Sequence, residues 1–233
     1  MRTISEQGES FMLDTLFDRF DNIIVLDTET TGFSPRSEEI IELAMLRVSR
    51  SGEIQEYDKF IRLSPGRSIP PKIVELTGIT DAMLEAEGLP KEDVCSVLAD
   101  TLSLDRPLVV AYNAQFDLGF LYYFLSGFGK ARVLKNVHML DALTVYRDRR
   151  PFPHKLCDAV AAYSLLSQNT HRAIDDTKAT YELLCAMDEE EPDLHRYINL
   201  FGYSEKYGVS GQRISSVTYR PQGYENKTKL YLR

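Results

Sequence analysis

The chain has 233 residues, 43% of them hydrophobic and 27% charged, with a formal net charge of −8. That length gives one domain, or one domain with an appendage, and the composition is that of a soluble globular protein rather than a disordered or fibrous one. The acidic balance argues against broad, salt-driven coating of nucleic acid, which needs a basic face, and leaves room for an enzyme that grips a few nucleotides in a metal-lined cleft. No apolar run approaches the roughly 18 residues needed to cross a bilayer, so no membrane segment is expected. The opening MRTISEQGESF is too polar for a signal peptide. Cys95, Cys157 and Cys185 lack the spacing of a zinc site and read as reduced core residues of a cytoplasmic protein.

Residues 1–21 are polar with one amphipathic patch, Phe11, Leu13, Leu16, Phe17 and Phe20, which predicts a short helix covering a sheet edge. Residues 23–28, IIVLDT, are a β-branched run without alternation, as in a strand covered on both faces. Residues two apart on a strand share a face, so Asp27 and Glu29 point the same way at its C-terminal end. Ligands of open α/β sheets sit at such ends. Two carboxylates there repel one another and lose hydration, which is costly unless something cationic neutralises them. The plainer alternative is a strand followed by an Asp-rich surface turn.

Residues 39–48 and 54–62 read as two more strands joined at Ser51-Gly52, which makes an antiparallel meander with the first. Residues 64–71 carry three prolines and a glycine and predict a loop. A helical turn over 73–76 closes at Thr77-Gly78, Thr80-Asp81 suits the cap of the next helix, and 90–102 is amphipathic. Residues 108–111 form a fourth buried strand.

Asn113 is a good helix cap for the apolar stretch that follows. On a helix, Phe120, Leu121, Phe124 and Phe128 fall within about 60° of Asp117, which places that carboxylate in the first turn of the buried stripe. The helix dipole offers about 1 kcal/mol or less there, too little to offset burial of a charge. A first-turn Asp reaching solvent is the alternative. A fifth strand over 136–140 and helices over 141–149, 155–163 and 171–187 complete the core. On the last helix Ala179, Thr180, Leu183 and Met187 cluster around Asp176, while Asp175, Lys178 and Glu182 take the polar side. His171 falls on the other side of that wheel and reaches the same place only from a loop or irregular turn before the helix.

Three distant segments thus aim Asp27, Glu29, Asp117 and Asp176 at the interior. Four converging carboxylates without four basic partners are best explained by divalent cations, and oxygen ligands without Cys suit Mg²⁺ or Mn²⁺. Two such ions about 3.5–4 Å apart form the clamp of phosphodiester hydrolysis. Of the histidines, only His171 lies beside one of these carboxylates, and an imidazole titrating near pH 6.5 suits a general base. A lone His at a helix start is otherwise a cap or a surface residue.

DTETTG at 27–32, NAQFD at 113–117 and HRAIDD at 171–176 resemble the three exonuclease motifs of the DEDDh (DnaQ-like) 3′–5′ exonucleases. That family includes the proofreading epsilon subunit of bacterial DNA polymerase III and the exonuclease domain of PolC-type polymerases. The resemblance spans about residues 23–187 in the correct order, and LTGIT at 76–80 also matches. It implies an α/β, RNase H-like fold with a five-stranded mixed sheet and helices on both faces. It also implies roles by position. Asp27, Glu29 and Asp176 resemble the ligands of the ion that holds the attacking water, and Asp27 and Asp117 those of the second ion. His171 resembles the general base. Thr28, Thr30, Thr77, Gly78, Asn113 and Phe116, with His171, resemble the pocket for the 3′-terminal nucleotide. Tyr112 stands where the family often has His, a departure that bears on substrate contacts rather than on the metal ligands.

The expected organisation is an exonuclease domain over 1–190 and a C-terminal extension over 191–233. In that extension Lys206, Arg213, Arg220, Lys227, Lys229 and Arg233 against Glu205 and Glu225 give residues 202–233 a net charge of +4. Its pattern suggests a basic β-hairpin or extended arm. Interleaved Tyr203, Tyr207, Tyr219, Tyr224 and Tyr231 suit either stacking on unpaired bases or packing of the arm on its own acidic body. The resemblance implies release of nucleoside 5′-monophosphates from single-stranded DNA 3′ ends with Mg²⁺ or Mn²⁺, and a DNA polymerase as a partner. The alternatives are an RNA-trimming exonuclease of the RNase T or oligoribonuclease type, and a catalytically silent scaffold that binds a polymerase or a nucleic-acid end.

Overall fold

The computed structural model describes residues 13–167, 170–223 and 228–233. Five strands form the central sheet: β1 (Asn22–Thr30), β2 (Ile40–Ser49), β3 (Ile54–Phe60), β4 (Pro107–Ala111) and β5 (His138–Asp141), in the order β3-β2-β1-β4-β5. The first three pair antiparallel, as the expected meander, and β4 and β5 run parallel to β1. The β2–β3 turn closes at Gly52, whose φ of 80° carries no Cβ penalty for glycine.

Alternation along β1 divides the core. Ile23 and Val25 lie in one hydrophobic cluster with Val110 and Leu140, and Ile24 and Leu26 lie in another with Val109 and Met139. Residues of α6 (Ala142–Arg149), α7 (Leu156–Ala162) and α8 (Ala173–Glu190) fill the first cluster; those of α4 (Lys91–Leu102) and α5 (Ala114–Gly127) fill the second. With both faces covered by helices, the central strands have no polar side, hence the continuous apolar runs in the sequence.

Several expectations are corrected in detail. The N-terminal element α1 (Asp14–Phe17) is a single turn. Leu13, Leu16, Phe17 and Phe20 pack in the first cluster, on a face of the sheet rather than its edge; Phe11 lies outside the described residues. Pro71 belongs to α2 (Pro71–Thr77), where its fixed φ suits a first turn, so the proline loop is shorter than expected. Thr80 caps α3 (Asp81–Glu87) by accepting the Met83 N–H at 3.3 Å. Asn113 sits at the start of α5 in the left-handed region and makes no side-chain cap. Cys95 and Cys185 are buried, but Cys157 is exposed and is not a core residue.

The described residues of the C-terminal segment form no hairpin, and the turn expected at Glu225-Asn226 lies outside them. β6 (Leu200–Tyr203) and β7 (Thr218–Pro221) pair parallel, joined by a long connection. Leu194, Tyr197, Leu200 and Leu230 belong to the first core cluster, and Phe201, Ile214 and Val217 to the second. Lys229 pairs with Glu191 at 2.6 Å, and Arg233 lies 3.9 Å from Asp148. Asn199 donates its N–H to the Met139 carbonyl at 2.7 Å and accepts the Met139 N–H on Oδ1 at 2.8 Å, so it occupies the outer edge of β5. No helix among the described residues is long and apolar enough to cross a membrane.

Candidate active site

β1 delivers its carboxylates by parity. Asp27 and Glu29 share the face of Ile23 and Val25, toward α8. Thr28 faces the other way, toward α5. There its hydroxyl and N–H both donate to Oδ1 of Asp117, at 2.8 and 3.1 Å. Asp117 is 3% exposed, and this pair of bonds answers what holds the carboxylate in the buried stripe. The crossing at Thr28 brings a residue from one side of the sheet to the carboxylates of the other.

Asp176 is buried in the first turn of α8 and accepts the Thr170 N–H at 3.2 Å. Asp175 faces outward and accepts the Thr170 hydroxyl at 2.5 Å, as the helical wheel requires. His171 precedes the helix with a φ of 59°, a left-handed residue that turns the imidazole back to the site. Ligand atoms of Glu29, His171 and Asp176 all lie within 4.8 Å of one another. The next residue, Arg172, is fastened down. Its Nη2 and Nε donate to Oε1 of the fully buried Glu42 at 2.6 and 3.0 Å, and the Ala173 N–H donates to Oε2 at 2.9 Å. Glu42 is the cross-strand partner of Glu29.

The carboxylates feel one another. Burial pushes the Asp27 carboxyl well above its usual range, and the charges of Asp117, Glu29, Asp176 and Glu42 push it further. Glu29 is raised to about 8, by burial and then by Asp176, Glu42 and Asp117, against the pull of Arg172. Asp117 is raised to about 7 by burial, although the Thr28 bonds favour its ionised form. Burial and like charge together disfavour ionisation here, and divalent cations reverse that. The carboxylate-rich donor set fits hard cations.

Asp27, His171 and Asp176 open into a cleft of about 600 Å³ whose rim includes Asn113 and Leu76. The remaining candidate pocket residues are more structural. Thr30 donates to the Gly32 carbonyl at 2.7 Å. The Thr77 hydroxyl donates to Ile73 and accepts from the Ile79 N–H, and Gly78 ends α2 with a φ of 71°. Phe116 packs on Phe120, ring centroids 5.0 Å apart. Tyr112 lines the cleft and donates its hydroxyl to the His154 carbonyl at 2.9 Å.

Sequence reasoning missed two devices. Asp141, buried at the end of β5, accepts the N–H groups of Asn113 and Ala114 on Oδ1 at 2.9 and 3.1 Å and also caps α6. It does the work assigned to the Asn113 side chain, and an Asp at a strand–helix junction is the signal that marks it. The Glu42–Arg172 pair is the second; only strand register shows that Glu42 lies opposite Glu29.

The sequence profile of the RNase T exonuclease family matches residues 24–184. The PolC-type DNA polymerase III of Clostridium perfringens is 34% identical over 211 residues, covering 88% of this chain and 14% of that protein. The 3′–5′ exonuclease DinG of Bacillus subtilis is 35% identical over 162 residues, 67% of this chain and 16% of that protein. The chain therefore spans only about a seventh of the length of these relatives. Escherichia coli exonuclease I, solved with a dA16 oligonucleotide, superposes with a TM-score of 0.67 at 17% identity, covering 76% of this chain and 42% of that one, which shows a shared fold. The order of the sheet, the carboxylates it gathers and the extent of the match agree: this chain belongs to the RNase T exonuclease family.

Proposed function

We propose that the protein is a cytoplasmic 3′–5′ exonuclease that removes nucleoside 5′-monophosphates from single-stranded DNA ends. The observation that carries this is the gathering of Asp27, Glu29, Asp117 and Asp176 beside His171, with burial raising the first three above their ordinary range and the neighbouring carboxylates adding to it at Asp27 and Glu29. Asp27, Glu29 and Asp176 would hold one divalent cation, and Asp27 with Asp117 a second, Mg²⁺ or Mn²⁺ by the hardness of the donors. When bound, the cations neutralise the cluster, make water a better nucleophile and stabilise charge on the leaving oxygen.

The chain's own residues do the rest. His171, its ring within 4.8 Å of carboxylate oxygens of Glu29 and Asp176, takes the proton from the attacking water on a ring nitrogen. Thr28 fixes Asp117, and Arg172, through Glu42, fixes the turn that carries His171. Leu76, 47% exposed at the rim, offers an apolar surface to the terminal base, and Thr28, Thr30, Thr77, Gly78, Asn113 and Phe116 frame the terminal nucleotide. The PolC-type DNA polymerase III relatives support DNA as substrate and a DNA polymerase as partner.

Digestion of matched 5′-labelled DNA and RNA oligomers with Mg²⁺ or Mn²⁺ tests the reading. A ladder shortening from the 3′ end on DNA, abolished by excess EDTA, is expected. Faster digestion of RNA would reassign the substrate to the RNA-trimming class. Cleavage of a circular single strand would overturn the exonuclease assignment. No hydrolysis of either strand or of a chromogenic thymidine monophosphate ester would leave a binding scaffold.

A further inference from the structure

The cleft over the carboxylates is adjoined by a second cavity of about 190 Å³, and Asn113 and Arg147 line both. The walls of the second cavity come largely from the C-terminal segment, with Tyr203, Tyr207 and Tyr219 among them. This segment is held in place from two sides. Gln115, in the first turn of α5, donates to the carbonyls of Ser210 and Gln212 at 2.7 and 2.9 Å and accepts the Tyr219 hydroxyl at 2.7 Å. The Gly202 N–H donates to the Thr144 hydroxyl of α6 at 2.9 Å. The second cavity is therefore fixed relative to the catalytic carboxylates.

The cations of the C-terminal segment divide into two kinds. Lys229 is paired with Glu191, and Arg220 donates to the carbonyls of Leu230 and Arg233; these balance and tie the segment itself. Lys206 and Arg213 form no ion pair among the described residues, and stand over the rings of Tyr207 and Tyr219 at 5.0 and 5.3 Å. Arg147, in the last turn of α6, is likewise without an ion pair among the described residues, and its buried Nε has no hydrogen-bond partner. Arg147 lines both cavities, and a phosphate oxygen is a fitting acceptor for a guanidinium. Tyr207 is 75% exposed, an aromatic face open to solvent beside a cation. A cation for a phosphate and a ring for a base are the two elements of single-strand binding.

Resting on the nuclease reading above, we propose that Arg147 and Tyr207 form a subsite for single-stranded DNA upstream of the scissile bond, Arg147 receiving a backbone phosphate and Tyr207 stacking on a base. The strand then runs from the carboxylates past Asn113 and Arg147 onto the C-terminal segment. That segment acts as part of the wall, where the sequence suggested a separate arm.

The test is steady-state hydrolysis, with Mg²⁺, of a DNA dinucleotide and of a single strand of about ten nucleotides, a length that reaches beyond the terminal pocket. Wild type is compared with Arg147→Gln, Tyr207→Ala and the double variant, each checked for folding by circular dichroism. The double variant should raise KM for the long strand about tenfold or more, for one phosphate contact and one stacked base. The dinucleotide should be affected far less, so the advantage of length shrinks. Arg147→Gln alone should also flatten the dependence of log KM on log salt by roughly one. Equal losses on both substrates, or none on the long strand, would overturn the subsite. Tyr207→Ala, made on an exposed side chain, keeps the test decisive if Arg147→Gln fails to fold. A wild type that cleaves neither strand would overturn the nuclease reading and the subsite with it.

Discussion

Glu29 and Glu42 sit opposite one another on neighbouring strands, and their surroundings could hardly differ more. Glu42 is wholly buried yet satisfied: the Arg172 guanidinium and the Ala173 N–H take its two oxygens. Glu29 has no ion pair among the described residues and is pushed up to about 8, by burial and then by neighbouring carboxylates. One glutamate is matched by the chain's own cation and becomes structure. The other has no such partner, and the proposed function gives it to a cation from solution. A buried charge with a partner costs little to keep, and the same charge without one stays in tension until something binds.

The comparison breaks most sharply at Asp27, which feels every other carboxylate of the cluster. Asp27→Ala should lower kcat/KM on a DNA oligomer roughly 10³-fold or more, since the proposed function makes it a ligand shared by both ions. Its metal-free melting temperature should hold or rise, because a repelling charge is gone. Retained activity would mean that the ions sit elsewhere. Next in size is the adjacent pair on α8. Asp176→Asn should abolish turnover while Asp175→Asn changes it by less than about threefold, since only Asp176 is turned inward. An inactive Asp175 variant would place the ions on the outer face of the helix.

Stability sharpens the contrast between the two glutamates. Glu42→Gln leaves Arg172 without its partner and should cost about 2–3 kcal/mol in urea unfolding, less than a fully buried pair because the arginine is partly exposed. It should also slow turnover by loosening the turn that carries His171. Glu29→Gln should leave the metal-free protein as stable or more so. Equal destabilisation by both would erase the distinction.

The smallest effect is thermal. Raised folded-state values at Glu29 and Asp117 give stability that is complete below their ordinary values of 4.5 and 3.8 and is lost as pH rises through about 7 to 8. Cations bind the ionised forms, so the Mg²⁺-dependent gain in melting temperature should grow between about pH 5 and pH 8. At a concentration about a hundredfold above the dissociation constant, the gain should be about 5–10 °C. A gain independent of pH would separate Mg²⁺ binding from these carboxylates.

Much of this site is written locally. The parity of β1 aims Asp27 and Glu29, the wheels of α5 and α8 turn Asp117 and Asp176 inward, and the off-wheel position of His171 demands the irregular turn that its φ of 59° supplies. Period is a property of neighbours in sequence, so it can be read without the fold. What escapes is set by register and long-range contact. That Glu42 meets Glu29 depends on how two strands align, and that Asp141 holds the start of α5 depends on β4 lying beside β5. β6 and β7 have only four residues each, too few for a pattern to show that they pair with one another.

Asn199 has a consequence for the protein as a solute. An open sheet invites another chain onto its outermost strand, and a β5 with free backbone groups beside Met139 would be such a template for aggregation. Asn199 fills that place with its own backbone and amide. At the opposite border β3 carries Glu56, Asp58 and Lys59, charges that discourage an incoming strand. The sheet stays open in topology while each of its borders carries a feature that resists an added strand.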